Sequence, residues 1–303
     1  MDQEFMVEVF AQSKRFFDLP MEEKMKVLRN EKHRGYTPIL DETLDPDNQM
    51  HGDYKEGFYI GVEVPEDEQK EEKPFYGPNM WPSADLLPGW RQTMEKYHQK
   101  SLFEHNITIR YRYNEVAKAV ARIIALALDL DGDFFDKAEM LGEPIATLRL
   151  LHYEGVRHNT GKASNPANGI FGAGAHSDYG LITLLATDDV MGLQICRDKD
   201  ATPQIWEYVA PVKGSTLHRV LIDGQERYSI AYFVEPSHEC LVECLPTCKS
   251  EKNPPNEKQV PTGPRLQHAI GECCSAAFVV SGEIKRNKEK LEQQDKNKSP
   301  YDD

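Results

Sequence analysis

The sequence predicts a mainly β fold with flanking helices, in which an N-terminal helical and loop-rich region precedes a sandwich or barrel. After residue 145, short β-branched and aromatic segments alternate with turn residues, a spacing typical of sheets that close on themselves. Before that point the clearest patterns are amphipathic helices. The 303 residues can bury a sizeable core. We therefore predict an N-terminal region at 1–140, a β core at 141–250 and a divergent polar tail at 251–303.

The first ninety residues combine helical and loop patterns. Residues 3–18 place phenylalanines among charged residues, which predicts an amphipathic helix that ends before Pro20. Residues 21–29 predict a further turn of helix. Proline, glycine and acidic residues dominate 31–89, so we expect a long loop-rich segment around one short strand, GFYIGV.

Two more helices are expected before the β core. The first carries Trp90, Met94 and Tyr97 on one face. The second has the clearest helical pattern of the chain, with Asn114 as a potential cap and Gly132 at its end. Its predicted buried stripe consists of Val116, Val120, Ile123 and Ala127.

The β core is predicted from seven short segments rich in β-branched and aromatic residues. Turn residues separate them, as in an antiparallel sandwich or barrel. The segments are 146–153, 181–187, 192–196, 205–212, 216–222, 227–236 and 241–246.

Composition and charge argue against several classes of function. A net charge of −14 disfavours broad electrostatic binding to nucleic acid. No apolar run reaches the length of a membrane span, and no signal peptide is recognisable, so we expect a cytoplasmic protein with reduced cysteines. Cys240, Cys244 and Cys248 lack the tighter ligand pairs of a structural zinc site, and we interpret them as incidental.

A histidine and an aspartate two residues apart are the first candidate metal ligands. His176 and Asp178 follow a glycine-rich approach to an apolar segment, and in a strand such alternate residues share one face. His218 is a third candidate within a later strand pattern. Alone, each is more often structural than functional. Together, two histidines and one carboxylate match the facial triad that holds ferrous iron and leaves the opposite positions open.

An arginine and a serine follow the last of these ligands. Arg227 and Ser229 alternate along one predicted strand and therefore face the same side. A buried guanidinium is costly unless it meets an anion, and its planar fork matches a carboxylate. An internal Asp or Glu partner is the structural alternative. With the triad just upstream, we favour an anionic cosubstrate.

These residues, in this order, resemble the iron(II)- and 2-oxoglutarate-dependent dioxygenases of the isopenicillin-N-synthase-like, plant-type group. The motifs that carry the resemblance are RFFDLPMEEKMKV, HRGYTP, YKEGFYIG, LRLLHYEG and HSDYGLITLLATDDVMGLQI. The resemblance covers most of 5–100 and 115–250. It implies a double-stranded β-helix (a cupin-like jelly roll) fronted by helices.

The resemblance also implies a reaction and a role for each site residue. His176, Asp178 and His218 would bind Fe(II). Arg227 and Ser229, helped by Tyr153, would hold the distal carboxylate of 2-oxoglutarate, although Leu151 replaces the family's asparagine. Phe233 would pack on substrate or simply fill the core.

The implied enzyme hydroxylates or desaturates a small-molecule metabolite with O2 while 2-oxoglutarate becomes succinate and CO2, with ascorbate in a supportive role. We expect a monomer that binds neither nucleic acid nor membrane.

The resemblance departs from the family pattern at three places. Only 40 positions separate Asp178 from His218, because the family's apolar strand is missing between 212 and 216. SLFEHNITIRYRYN interrupts a helix, and the sequence after about 255 does not align. We hypothesise an aberrant isoform or gene model. The alternative function is a catalytically impaired, partly folded member that acts only by binding.

Overall fold

The computed structural model describes a helical front and the β core. The described residues are 3–64, 73, 75–102, 116–155, 163–178, 180–209, 217–238, 240–242, 244–248, 260–261 and 278–282. Most of the predicted interruption before the fourth helix, the Asn114 cap, the shortened segment at 212–216 and most of the polar tail lie outside them.

Four α-helices are described. The first two occupy nearly the positions that the sequence predicts, and the turn after the first is at Pro20. The helices are α1 Gln3–Phe17, α2 Met21–Met25, α3 Trp90–Leu102 and α4 Val116–Ala127. Short 3-10 turns lie at Phe134–Asp136, Pro166–Asn168 and Pro246–Cys248, and a π-helical turn at Ala138–Gly142. No helix in this described set is long and apolar enough to cross a membrane.

Twelve strands are described, and most of the predicted segments are among them. Before the core lie β1 Gly35–Thr37 and β2 Glu56–Gly61. The core strands are β3 Ile145–Tyr153, β4 Ala173–His176, β5 Ile182–Thr187, β6 Leu193–Asp198, β7 Ile205–Tyr208, β8 His218–Val220, β9 Arg227–Glu235 and β10 Leu241–Val242. The last two are β11 Val260–Pro261 and β12 Phe278–Gly282.

Two facing sheets form the jelly roll that the sequence predicts. The larger sheet has the order β1-β2-β3-β9-β5-β12, and the smaller has the order β4-β8-β6-β7. The pairings are antiparallel except that of β12 with β5. Residues of both sheets line one internal cavity, so the two inner faces meet around it.

Alternation along the central strands separates the helical core from the cavity. On β9, Ile230, Tyr232 and Val234 point into the apolar core beneath α1 and α3, and Leu148 and Leu150 of β3 do the same. The alternate residues of both strands line the cavity. The larger sheet therefore anchors the helices on one face and builds the site on the other.

Of the stripe predicted for α4, Val120 packs partly buried against the core, whereas the other predicted members are exposed. The predicted Ile123 is 66% exposed. The residues that the helix buries are Ala117, Ala121, Ile124 and Ala125. The helix is apolar around much of its circumference, so periodicity alone does not choose between adjacent faces.

The second edge of β5, opposite its pairing with β9, is paired with β12. Phe278–Gly282 adds to β5 as a parallel strand, with Phe278 opposite Ile182 and Gly282 opposite Ala186. The sequence predicted a polar tail here. The local composition explains the difference, since AFVVSG is an apolar, β-branched island within that tail.

A buried histidine on α3 predicts how stability depends on pH. His98 is 6% exposed, its Nε2 donates to the Ala146 carbonyl over 3.3 Å, and its ring meets Tyr232 edge-on. Burial is the main cause that lowers the pKa of His98 from 6.5 to about 4. Between these values the unfolded chain binds the proton and the folded chain does not, so stability falls as pH falls.

The test compares His98→Gln, which retains a side-chain N–H donor, with the unaltered protein. The free energy of unfolding of the metal-free protein is measured with urea at pH 7 and at pH 4. Between these pH values it should fall by about 3 kcal/mol more in the unaltered protein than in the variant, since one pKa unit is worth about 1.4 kcal/mol. Equal losses in the two proteins would show that His98 titrates normally.

Candidate active site

The cavity between the sheets holds every candidate residue of the sequence analysis. It encloses about 540 Å³ of empty space, part of it open to solvent. Its walls combine apolar side chains with a few polar groups, as expected of a small-molecule site. The candidates that line it are His176, Asp178, His218, Arg227, Ser229, Tyr153 and Phe233.

Cross-strand pairing brings the two candidate histidines together. His176 ends β4 and His218 begins β8, and these antiparallel strands place the two residues directly opposite each other. Directly paired residues of adjacent strands have neighbouring side chains. Accordingly, the ring centroids lie 4.2 Å apart.

Asp178 reaches the same point from the loop after β4, which differs from the predicted alternation of both residues along one strand. β4 ends at His176, so Asp178 does not alternate with it along a strand. Its Oδ1 lies 3.7 Å from Nε2 of His176 and 3.8 Å from Nε2 of His218. Its Oδ2 accepts a hydrogen bond of 2.8 Å from the Thr183 hydroxyl on β5, which fixes the carboxylate.

The donor set fits a ferrous ion. One ligand atom from each of His176, Asp178 and His218 lies within 4.8 Å of the other two. Nδ1 of His176 is 2.8 Å from the Gly174 carbonyl; because a carbonyl only accepts, Nδ1 carries the proton and Nε2 keeps its lone pair. Burial, then the neighbouring His218, lowers the pKa of His176 to about 4, so the ring is neutral at pH 7. Neutral imidazole is the form that binds metal.

Thr183 provides a direct test of carboxylate positioning. Replacing Thr183 with Val removes the hydroxyl at nearly constant shape and deprives Asp178 of its 2.8 Å donor. A hydrogen bond to a charged group contributes about 1.5 kcal/mol, so Fe(II) affinity should fall roughly tenfold in an anaerobic titration. Thr183→Ser, which retains the hydroxyl, should stay near the unaltered value. Equal affinity in all three proteins would exclude this role.

Arg227 is a buried cation at the cavity wall. It is 2% exposed, its Nε donates to the Val190 carbonyl over 3.2 Å, and its guanidinium carbon lies 4.9 Å from the Tyr153 ring centroid. Gly192 allows this packing, since a Cβ there would lie 3.1 Å from Arg227 Nε and 2.6 Å from a backbone oxygen. Nη1 has no hydrogen-bond partner among the described residues.

The register of β3 against β9 places the remaining candidates near Arg227. Tyr153 pairs with Arg227 across β3 and β9, and Leu151 pairs with Ser229. Ser229 is 1% exposed. Phe233 lies two alternations beyond Ser229 on the cavity side of β9.

A cluster that the sequence analysis missed also reaches the cavity. We call Glu42, Asp53, Lys55 and Arg149 the charge cluster; all but the half-buried Glu42 are buried. Lys55 is 4% exposed and pairs with Asp53, and with Glu42 over 3.1 Å, while Glu42 also pairs with Arg149. Burial alone would raise the pKa of Glu42, but Arg149 and Lys55 hold it well below its usual range. Lys55 and Arg149 line the cavity, and their positive charges are balanced by these carboxylates.

Comparison with known proteins identifies the family. Residues 146–236 match the 2OG-Fe(II) oxygenase superfamily, and residues 1–84 match the N-terminal family described as non-haem dioxygenase in morphine synthesis. Azadirone synthase of Melia azedarach is 45% identical over 289 residues, which cover 89% of this chain and 81% of that protein. The chain belongs to the 2-oxoglutarate- and Fe(II)-dependent oxygenases. Kihadalactone A synthase of Citrus sinensis is 43% identical over 87% of this oxygenase and 79% of its own length.

Solved structures agree with this assignment. A full-length Neurospora crassa protein, crystallised in complex with alpha-KG, has a TM-score of 0.65 at 27% identity, covering 89% of this oxygenase and 83% of that chain. A Caulobacter crescentus protein shares the fold, with a TM-score of 0.66 at 24% identity and coverage of 88% and 85%. The oxygenase is thus an oxidoreductase that uses Fe(II) and 2-oxoglutarate to oxidise a small molecule. The alternative of a binding-only relative is not favoured.

Proposed function

We propose that His176, Asp178 and His218 hold the Fe(II) of this oxygenase. The observation that carries the proposal is the cross-strand pair of histidines with the Asp178 carboxylate less than 4 Å from both Nε2 atoms. Two imidazoles and one carboxylate leave positions open for cosubstrate and oxygen. Bound there, Fe(II) supplies the oxygen chemistry that cleaves a C–H bond while 2-oxoglutarate is decarboxylated to succinate. The protein residues supply position and charge.

Arg227, Ser229 and Tyr153 then bind the distal carboxylate of 2-oxoglutarate. Arg227 is 2% exposed and its Nη1 has no hydrogen-bond partner among the described residues, which favours an external anion as partner. The Ser229 hydroxyl adds a donor on the same face of β9. Tyr153 packs its ring against the guanidinium and limits its movement. Leu151, in place of an asparagine, contributes only an apolar wall.

The substrate in this proposal is a small, predominantly apolar metabolite. Phe233, Leu185, Leu193 and Val220 offer apolar contacts in the cavity, and the charges of Lys55 and Arg149 are already compensated. Such walls bind hydrocarbon better than a multiply charged molecule. The chain is similar to azadirone synthase and kihadalactone A synthase. This similarity supports a substrate that resembles the precursors of azadirone and kihadalactone A. Hydroxylation and desaturation are both open to the proposed site.

We further propose a monomer that does not bind nucleic acid and acts in the cytoplasm. The net charge of −14 disfavours contact with phosphate backbones. Cys196 is a buried free thiol, consistent with a reducing compartment. The division at 1–140, 141–250 and 251–303 stays a prediction.

The decisive experiment measures succinate and oxygen together. Purified full-length protein with Fe(II), 2-oxoglutarate and candidate apolar metabolites should form succinate and consume O2 in proportion to oxidised product. A substrate should accelerate this turnover above the level without substrate. Absence of succinate formation with Fe(II) demonstrably bound would contradict the proposed function.

A further inference from the structure

Strand β4 is irregular just before it presents His176. Between the two paired positions, β4 has two residues, Gly174 and Ala175, whereas β8 has one, Arg219. One extra residue is therefore inserted at Gly174 or its successor. Such a bulge redirects a side chain and releases backbone groups from the ladder. Released buried groups require other partners.

Both polar groups of Gly174 have such partners. Its carbonyl accepts from Nδ1 of His176 over 2.8 Å. Its N–H donates over 2.9 Å to Oδ1 of Asp53, which lies 121 positions earlier in the chain. A Cβ on Gly174 would lie 2.2 Å from the Gln49 side-chain oxygen, so the loop around Asp53 packs directly against this residue.

Asp53 is itself held rigidly. It is 1% exposed, its Oδ1 also accepts from Gln49 Nε2 over 2.9 Å, and its other oxygen pairs with Lys55. Its backbone N–H donates to the Glu42 carbonyl over 2.7 Å, and the next N–H, of Tyr54, donates to the Phe171 carbonyl. The Asp53 carboxylate that accepts from Gly174 is thus held in place by its ion pair with Lys55 and by the backbone hydrogen bonds of its own loop.

We infer that Asp53 is a positioning residue for the metal centre, acting through Gly174 to fix the orientation and the protonated nitrogen of His176. The inference rests on the proposed role of His176 as an iron ligand. It means that the N-terminal region contributes indirectly, through Gly174, to metal binding, although every candidate ligand comes from the β core. Groups that orient a ligating histidine typically change metal affinity by roughly 10- to 100-fold when removed.

The test uses full-length protein and three variants. Asp53→Ala removes the acceptor, Asp53→Asn retains an oxygen for the Gly174 N–H, and Asp47→Ala replaces an exposed aspartate of the same loop. Anaerobic Fe(II) titration should give affinity roughly 10- to 100-fold weaker for Asp53→Ala, largely restored in Asp53→Asn and unchanged in Asp47→Ala. A second readout is ¹⁵N NMR of histidine-labelled, metal-free protein.

The NMR readout separates positioning from a general effect on structure. Unaltered protein should show His176 with the proton on Nδ1, and Asp53→Ala should show a mixture of the two neutral forms. Unchanged Fe(II) affinity and proton position in Asp53→Ala would overturn the inference, as would equal losses in the Ala and Asn variants. If Asp53→Ala does not fold, a proton on Nε2 in the unaltered metal-free protein overturns it. Failure of the unaltered protein to bind Fe(II) would instead overturn the proposed function.

Discussion

Replacing His218 with Ala should abolish specific iron binding. The imidazole is directly paired with His176 across the two strands, and its Nε2 lies 3.8 Å from Asp178 Oδ1. Two ligands would remain, His176 and Asp178, and these cannot form a facial triad. The loss should exceed the roughly 100-fold effect of removing a group that merely orients a ligand. Oxygen-dependent succinate formation should disappear with the metal.

The measurement is an anaerobic Fe(II) titration with 2-oxoglutarate present, followed by the weak visible metal-to-ligand charge-transfer band. The band should develop in the unaltered protein and be absent in His218→Ala. His51→Ala, which removes an exposed histidine, is the matched control and should behave as the unaltered protein. A normal band in His218→Ala would contradict the proposed triad.

The sequence was sufficient where local patterns carry the information. Alternation along a strand placed Arg227 and Ser229 on one face, and β9 has that arrangement. The resemblance ordered the three candidate ligands, and the structure brings them within 4.8 Å. Which face of α4 is buried was not predictable, because its apolar residues extend around the helix.

The sequence was insufficient where the site depends on distant pairs. Arg149 meets Glu42 across 107 positions, and Gly174 meets Asp53 across 121. No pattern of sequence spacing predicts either contact. Both arise because β2 and the loop before it pack on β3 and β4. The loop position of Asp178 was missed for a related reason: residues alternate only while a strand continues, and β4 ends at His176.

Replacing Arg227 with Met should weaken 2-oxoglutarate binding by roughly 30- to 1,000-fold, or about 2–4 kcal/mol, the usual cost of removing one partner of a buried charge pair. Methionine preserves length and apolar contacts while it removes the charge and all donors. The 2-oxoglutarate affinity of Arg227→Lys should lie between those of the unaltered protein and Arg227→Met, since an ammonium keeps the charge without the planar fork that matches a carboxylate. Isothermal titration with Fe(II) present measures the three affinities. Arg197→Met, at a side chain 69% exposed, is the control.

Iron binding without cosubstrate distinguishes this effect from damage to the metal centre. Because Arg227 is not among the three clustered donors, Arg227→Met should bind Fe(II) as the unaltered protein does. Since 2-oxoglutarate stabilises the folded state by about 2.7 kcal/mol at a concentration 100 times its Kd, the unaltered protein should gain thermal stability that the variant does not. Parallel loss of both affinities would indicate disruption of β9 as a whole. Unchanged 2-oxoglutarate affinity would mean that the buried guanidinium serves another anion, and the assignment of the cosubstrate end of the cavity would fall.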